Sequence, residues 1–248
     1  MIPARLGATR LPGKPLRLLG GVPLIAQVWR RVADSGIADR CIVATDSDEI
    51  RAVLNAAGGE AVLTSPDHPS GTDRVAEVAT MPSFRAYDVI VNVQGDEPFV
   101  SDSAIRGAAL MVTSGRFPLG TAAAIASPHI LDSEHVVKVV TADDGRALYF
   151  SRAPIPFLRD ISDTAERDGS VRQHIGVYAY TRESLAQWVS LPPHPLERIE
   201  RLEQLRPIAA GLPMGVTVIP EPASQGIDTT EDLERANAQW THHFAGRY

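Results

Sequence analysis

Lysine is almost missing from this chain of 248 residues: Lys14 and Lys138 stand against 22 arginines. Such a one-sided choice follows the base composition of a genome more than function, but it singles out Lys14, which lies in a Gly/Pro-rich loop. Cysteine occurs once, as Cys41, so no internal disulfide can form, and the apolar run Cys41-Ile42-Val43-Ala44 marks a buried strand position. No run of about 18 apolar residues is present, which excludes a spanning helix and membrane insertion. No charged stretch leads into an apolar segment at the start, so no signal peptide is visible and the cytoplasm is the expected compartment. Net positive charge is also lacking. At −6, with a pI near 5.6, the chain is a poor partner for nucleic acid. An acidic protein that handles anions must concentrate its cations locally, so their placement is informative. What remains, 44% hydrophobic and 22% charged residues, is an ordinary globular balance that argues against disorder.

Short apolar runs alternate with helical patterns through the first half. Val22 to Ala33 has helical spacing, Cys41 to Ala44 reads as a strand, and Ser47 is a suitable N-cap for a helix through Ala57. Ala61 to Leu63 reads as a strand and Thr72 to Ala79 as a helix opening on a capping residue. Val89-Ile90-Val91-Asn92-Val93 is apolar enough for the centre of a parallel sheet. This alternation predicts βαβ units and an α/β, doubly wound, mostly parallel sheet. The second half is mixed. Thr121–Ala126, Val136–Thr141, Ala147–Phe150, Ile175–Tyr180 and Val216–Ile219 read as strands, Arg159 to Ser170 as a mobile loop and Glu197 to Ala209 as one charged helix. Thr229 is the expected cap of a terminal helix. We read one domain over 1–248, with a nucleotide-binding core at about 1–120 and 215–248 and a smaller mixed β extension at about 121–214.

The segment Arg5-Leu6-Gly7-Ala8-Thr9-Arg10-Leu11-Pro12-Gly13-Lys14-Pro15 follows Ile2-Pro3-Ala4. Its glycines and prolines exclude regular helix or strand, leaving a loop at the C-terminal edge of a sheet, where open α/β folds bind ligands. Three cations and no acids make it suited to a triphosphate; a solvated basic turn is the alternative. It is neither a Gly-x4-Gly-Lys-Ser/Thr phosphate loop nor a Gly-x-Gly-x-x-Gly fingerprint. Asp96 and Glu97 directly follow the apolar strand, a position that projects a carboxylate into the crevice beyond the sheet. Mg2+ takes a few carboxylates with phosphate and water oxygens, so a second acid is needed. Asp228 qualifies, placed between Gly226 and Thr229 at the end of a strand, although a helix-capping role is equally open. Arg152, after a strand, offers a planar fork for a carboxylate. His174 and Tyr178 share strand parity with Gly176, which puts them on one face, though each could serve the core alone.

These segments resemble a known family. Ile-Pro-Ala-Arg followed by Thr-Arg-Leu-Pro-Gly-Lys-Pro-Leu is similar to the nucleotide-binding loop of the sugar-acid cytidylyltransferases, in particular the 3-deoxy-manno-octulosonate (Kdo) branch. The resemblance continues through Val43-Ala44-Thr45-Asp46, Ser70-Gly71-Thr72-Asp73-Arg74, Val91 to Pro98, Tyr149 to Arg152, His174 to Tyr178, Pro195 to Glu197, Leu202 to Arg206 and Gly226 to Thr229, in the family's order over nearly the whole chain. It implies a nucleotide-diphospho-sugar transferase-like fold and a Mg2+-dependent transfer of CMP from CTP to the anomeric hydroxyl of Kdo, with release of pyrophosphate. It implies Lys14, Arg10, Asp96 and Asp228 as catalytic, with Asp96 and Asp228 ligating Mg2+. Nucleotide contacts fall to Ala4, Arg5, Lys14, Ser70, Gly71, Thr72, Arg74 and Gln94, and sugar contacts to Gln94, Arg152, His174, Tyr178, Glu197 and Gln204. A homodimer through surfaces such as Ala153 to Leu158, and supply of lipopolysaccharide synthesis, follow from the same resemblance.

The match has departures. Family members usually carry apolar residues before Ile2-Pro3, so a shortened first strand or a misassigned start is expected, and residues 159 to 170 match nothing distinctive. Two alternatives stay open: a cytidylyltransferase for 8-amino-Kdo or a sialic acid, and an inactive nucleotide-binding regulator. The Asn-Val-Gln-Gly-Asp-Glu-Pro block favours the Kdo branch, and intact Lys14, Asp96 and Asp228 speak against an inactive chain.

Overall fold

The computed structural model describes residues 1–7 and 10–244, the last four as helix backbone only; Ala8 and Thr9 of the basic loop lie outside the described residues. The chain divides into two units, one formed by residues 1–85, 92–100 and 224–248, the other by 86–91 and 101–223. Residues 101–120, read from the sequence with the nucleotide-binding core, group with the second unit.

In the first unit β1 (Ile2–Ala4), a hairpin of β2 (Leu18–Leu19) and β3 (Val22–Pro23), α1 (Leu24–Asp34), β4 (Ile42–Thr45), α2 (Asp48–Ala56), β5 (Glu60–Leu63) and α3 (Gly71–Thr80) follow in order. β1, β4 and β5 pair in parallel, with Pro3 opposite Ala44 and Ala44 opposite Val62. Ile2, Leu24, Ile25, Val28, Val43, Ile50, Leu54, Val75 and Val78 are buried, so apolar stripes of the helices close over the strands. The helix read from Val22 begins two residues later, because Val22-Pro23 is drawn into the hairpin, with Pro23 at the N-cap of α1. Ser47 caps α2 as expected, its hydroxyl accepting the Ile50 N–H. The cap of α3 is Ser70 rather than Thr72. Ser70 Oγ accepts the Asp73 N–H at 3.2 Å, while Thr72 is buried inside the first turn. Cys41 immediately precedes β4 and is half-buried rather than a strand residue.

The C-terminal helix (Thr230–Phe244) starts on Thr229, whose hydroxyl accepts the Asp232 N–H, while the Asp232 carboxylate accepts the Asp228 and Thr229 N–H groups at 3.1 and 3.0 Å. Farther along, Asn237 clamps the hairpin turn: its Nδ2 donates to Leu18 O and its Oδ1 accepts the Gly20 N–H. Asp228 stands well beyond the strand that ends at Ile219, and not at a strand end as the sequence suggests.

The second unit begins in β6 (Val89–Val93) and continues with α4 (Asp102–Thr113), β7 (Leu119–Ile125), β8 (Lys138–Thr141), β9 (Ala147–Ser151), α5 (Thr164–Ser170), β10 (Arg172–Thr181), α6 (Arg182–Ser190), α7 (Pro195–Glu200), α8 (Leu205–Ala209) and β11 (Met214–Ile219). Its mixed sheet runs β11-β7-β10-β8-β9, with β6 also on β10. β7 and β11 pair in parallel; β10 is antiparallel to β7 and β8, and β8 to β9. Two expectations fail here. Residues 159–170 are not a structureless loop: Asp160 caps a 3-10 turn at Ile161–Asp163, and α5 follows. Nor do 197–209 form one helix, because Arg201 adopts a left-handed conformation (φ 56°) that stops α7 before α8 starts. Among the described residues no helix is long and apolar enough to cross a membrane.

Candidate active site

Gly13 sits at φ 66°, a left-handed turn that suits glycine, and it feeds the chain into a 3-10 turn at Lys14–Leu16. That turn, tied by the Lys14 N–H to Leu11 O at 3.0 Å over the buried Leu11, fixes the direction of the Lys14 side chain. Lys14 Nζ donates to Asp96 Oδ2 at 2.6 Å and to Asp228 Oδ1 at 3.0 Å. Arg10 Nη2 pairs with the other oxygen of Asp228 at 3.0 Å. Burial pushes the Lys14 ammonium down, but the two carboxylates outweigh it and hold it above its ordinary pKa, so it stays charged.

A cavity of about 370 Å3 opens here, and Ala4, Arg5, Arg10, Lys14, Ser70, Gly71, Arg74, Gln94, Asp96 and Asp228 all line it. Ten of the sequence-predicted positions therefore meet at one place in the first unit; Thr72 is not among its walls. Asp96 reaches the cavity because Gly95 lets the segment after β6 lie against β1: a Cβ on Gly95 would stand 2.8 Å from Pro3 O. Glu97 turns the other way, accepting from Ser224 Oγ at 3.3 Å. Burial, and then the neighbouring Asp96 charge, push its pKa up to about 8.

Two carboxylates that converge on one cationic nitrogen are a donor set that also fits a hard divalent cation, whose shell phosphate and water oxygens would complete. Among the described residues no third acidic, His or Cys side chain gathers with them. The set thus suits an ion shared with a phosphorylated ligand rather than a closed structural site.

The remaining walls differ in character. Arg5 is exposed, whereas Arg74 is buried, with Nη2 on Asp46 at 3.0 Å and Nη1 on Thr64 Oγ1 and Ser65 O, so it braces the ends of β4 and β5 behind the cavity. Ser70 Oγ also donates to Asp73 Oδ2. His68, which the sequence did not single out, lines the cavity with its Nε2 against Glu77 Oε2 at 2.5 Å. Its only signal was its position two residues before the Ser70 block.

The other predicted residues lie in the second unit. Arg152 directly follows β9, with Nε on Glu200 O (2.9 Å), Nη1 on Glu134 O (2.8 Å) and its N–H on Glu200 Oε2 (3.0 Å). Its carbonyl accepts from the wholly buried Lys138 Nζ, which also binds Ser133 O and Val136 O. The guanidinium is thereby oriented, and Nη2 donates to nothing among the described residues. His174 and Tyr178 do share a face: their rings lie 5.5 Å apart, and Phe150 packs edge-on to His174 at 4.8 Å. β10 shifts register against β7 between Ile175, opposite Ala122, and Tyr178, opposite Thr121, yet His174 (opposite Ala123) and Tyr178 keep the common parity expected from the sequence. Burial drives the His174 pKa down to about 3, so its imidazole is neutral, and raises that of Tyr178 well above a phenol's ordinary value. Glu197 is committed to structure: it forms a two-bond pair with Arg206 (2.8 and 2.5 Å) and accepts the His194 N–H in a capping box. Gln204 is buried at the N-cap of α8.

A cytidylyltransferase family model matches residues 1–217. A 3-deoxy-manno-octulosonate cytidylyltransferase of Gemmatimonas aurantiaca is 61% identical over 97% of this chain and 93% of its own, and one of Stenotrophomonas maltophilia is 45% identical over 95% and 93%. Among solved structures, a CMP:2-keto-3-deoxy-manno-octonic acid synthetase complexed with CTP superposes with a TM-score of 0.88 at 36% identity, covering 98% of this chain and 97% of that one. On the family model, the identity to these relatives and the structural match, this chain belongs to the 3-deoxy-manno-octulosonate cytidylyltransferase family.

Proposed function

We propose that the chain transfers CMP from CTP to the anomeric hydroxyl of Kdo, releasing pyrophosphate, and that it does so with Mg2+ held by Asp96 and Asp228. The observation that carries the reading is the Lys14 ammonium between those two carboxylates at the wall of a cavity that Arg5 and Arg10 also line. Mg2+ bound there supplies charge neutralisation for the triphosphate and lowers the pKa of an attacking hydroxyl. Lys14 and Arg10 hold positive charge beside the same cavity, where it stabilises the oxygens of departing pyrophosphate. Arg5 and Gln94 add donors to phosphate or base, and Ser70 and Gly71 present hydroxyl and backbone to the cytosine. In the second unit, Arg152 takes the sugar-acid carboxylate on its remaining guanidinium edge. His174, Tyr178 and Gln204 serve its hydroxyls, and Glu197 acts mainly by holding Arg206 and the start of α7.

The reaction belongs where nucleoside triphosphate is at hand, in the cytoplasm, and its product is suited to lipopolysaccharide assembly. Phe157, Ile161 and Ile199, each more than three-quarters exposed, support a homodimer that covers them; a monomer by light scattering at micromolar concentration would remove that part. Pyrophosphate release, measured with purified protein and each of CTP, ATP, GTP and UTP, with and without Kdo and Mg2+, tests the whole. Release confined to CTP, Kdo and metal together is expected. Equal release with another sugar acid, or without metal, would overturn the corresponding element.

A further inference from the structure

The buried Thr121 on β7 has one hydroxyl hydrogen and three neighbours. Its Oγ1 lies 2.8 Å from Val177 O, 3.4 Å from Ile175 O and 3.0 Å from His174 Nε2. A carbonyl oxygen can only accept, so the hydrogen goes to Val177 O, the shortest of the three contacts. Oγ1 is then an acceptor toward His174, and the ring must donate from Nε2. The opposite assignment would leave Oγ1 and Val177 O facing each other with lone pairs only, and would place a hydrogen on Nδ1, for which the described residues provide no acceptor. The register shift of β10 at Ile175–Tyr178 is what turns both carbonyls toward one threonine, which regular pairing would not do.

We propose that Thr121 is a positioning residue that holds His174 as the neutral Nε2–H tautomer, so that Nδ1 offers a bare lone pair to a hydroxyl of the sugar acid. The assignment rests on the reading that His174 contacts the sugar, and it adds a selection rule. An Nδ1 lone pair accepts from O–H and repels a carboxylate oxygen, so the acid group is sent to a cationic donor and a hydroxyl to the histidine. Which nitrogen of a histidine is available is set by the bond that the other one makes.

Long-range 1H–15N correlation spectra of 15N-histidine-labelled protein at neutral pH read the tautomer directly, without substrate. An Nε2–H pattern with an unprotonated Nδ1 is expected for His174; an Nδ1–H or imidazolium pattern would overturn the assignment. Thr121→Val, nearly the same shape without the hydroxyl, should lose the single-tautomer signature and raise the KM for Kdo about tenfold with the KM for CTP unmoved. Thr121→Ser should restore both, which guards against simple misfolding of the valine variant. Should His174→Gln raise the Kdo KM while Thr121→Val does not, the positioning role falls and the sugar site stands. Should neither variant change it, the sugar-site reading itself has failed and the ligand half of the proposal falls with it.

Discussion

Replacing Lys14 with methionine keeps the aliphatic stem and removes the charge between Asp96 and Asp228. Losing one partner of a fully buried pair costs about 3–5 kcal/mol, whereas an exposed pair contributes less than about 1 kcal/mol. The Lys14 and Asp96 side chains are 16% and 27% exposed, so their pair falls between these limits. Asp228 is 40% exposed and keeps Arg10, so its share is small. A loss of about 2 kcal/mol is therefore expected in EDTA, a fall in Tm of roughly 4–8 °C for a chain of this length. Mg2+ should then separate the variant from its parent. On the proposed site the ion would compete with the ammonium for the same oxygens in the parent and not in Lys14→Met, so it should bind the variant more tightly and stabilise it more. Scanning calorimetry of both proteins over a Mg2+ series, without nucleotide, measures this. Equal increments in the two proteins, or no drop in EDTA, would refute the shared-site reasoning. Turnover should nevertheless stay low in the variant at any Mg2+ concentration, because the charge proposed to face pyrophosphate is gone.

Other outcomes follow from the same geometry. Asp96→Asn or Asp228→Asn should reduce turnover at least about a hundredfold with the circular dichroism spectrum unchanged; near-normal rates in either variant would remove that residue from the metal site. Arg152→Ala should raise the KM for Kdo well above any change for CTP, and the reverse pattern would move Arg152 to the nucleotide. Gly95→Ala forces a methyl to 2.8 Å from Pro3 O, so a loss of about 1–3 kcal/mol and a weakened CTP site are expected in denaturant titration and kinetics; an unchanged midpoint would show that the two segments can part freely. His174 binds its proton less readily folded (about 3) than unfolded (6.5), so its contribution to stability is complete above pH 6.5 and is lost as pH falls toward 3, by up to about 1.4 kcal/mol per pH unit. His174→Asn should flatten that acid limb in calorimetry, and an unaltered slope would contradict the burial.

The candidate site was legible where local chemistry and chain position coincide. A loop rich in glycine, proline and cations after a strand lies where open α/β sheets place ligands, and Asp96 after an apolar strand faces the crevice there. The helices and strands of the first unit were legible for the same reason, because their burial follows simple periodicity. Features set by distant partners stayed hidden. Nothing near Arg201 announces a left-handed residue that divides a charged segment into two helices. Thr121 and His174 are joined through a register shift that no alternation pattern encodes. Asn237 clamps a hairpin made at the far end of the chain, and Ser70 displaced Thr72 as a cap by a difference of two residues, within the ordinary uncertainty of helix ends.

The ion pair of Lys14 with Asp228 joins residues 214 apart in sequence, and the whole of the second unit is threaded between them. Closing so long a loop adds little to its equilibrium cost, because that cost grows only logarithmically with length, yet contacts this remote slow folding. On a ribosome the basic loop waits for its second carboxylate through the 214 positions that separate Lys14 from Asp228. We expect a fragment stopped before residue 228 to keep the basic loop and Asp96 but lack the second of the paired acids, and so to show no turnover.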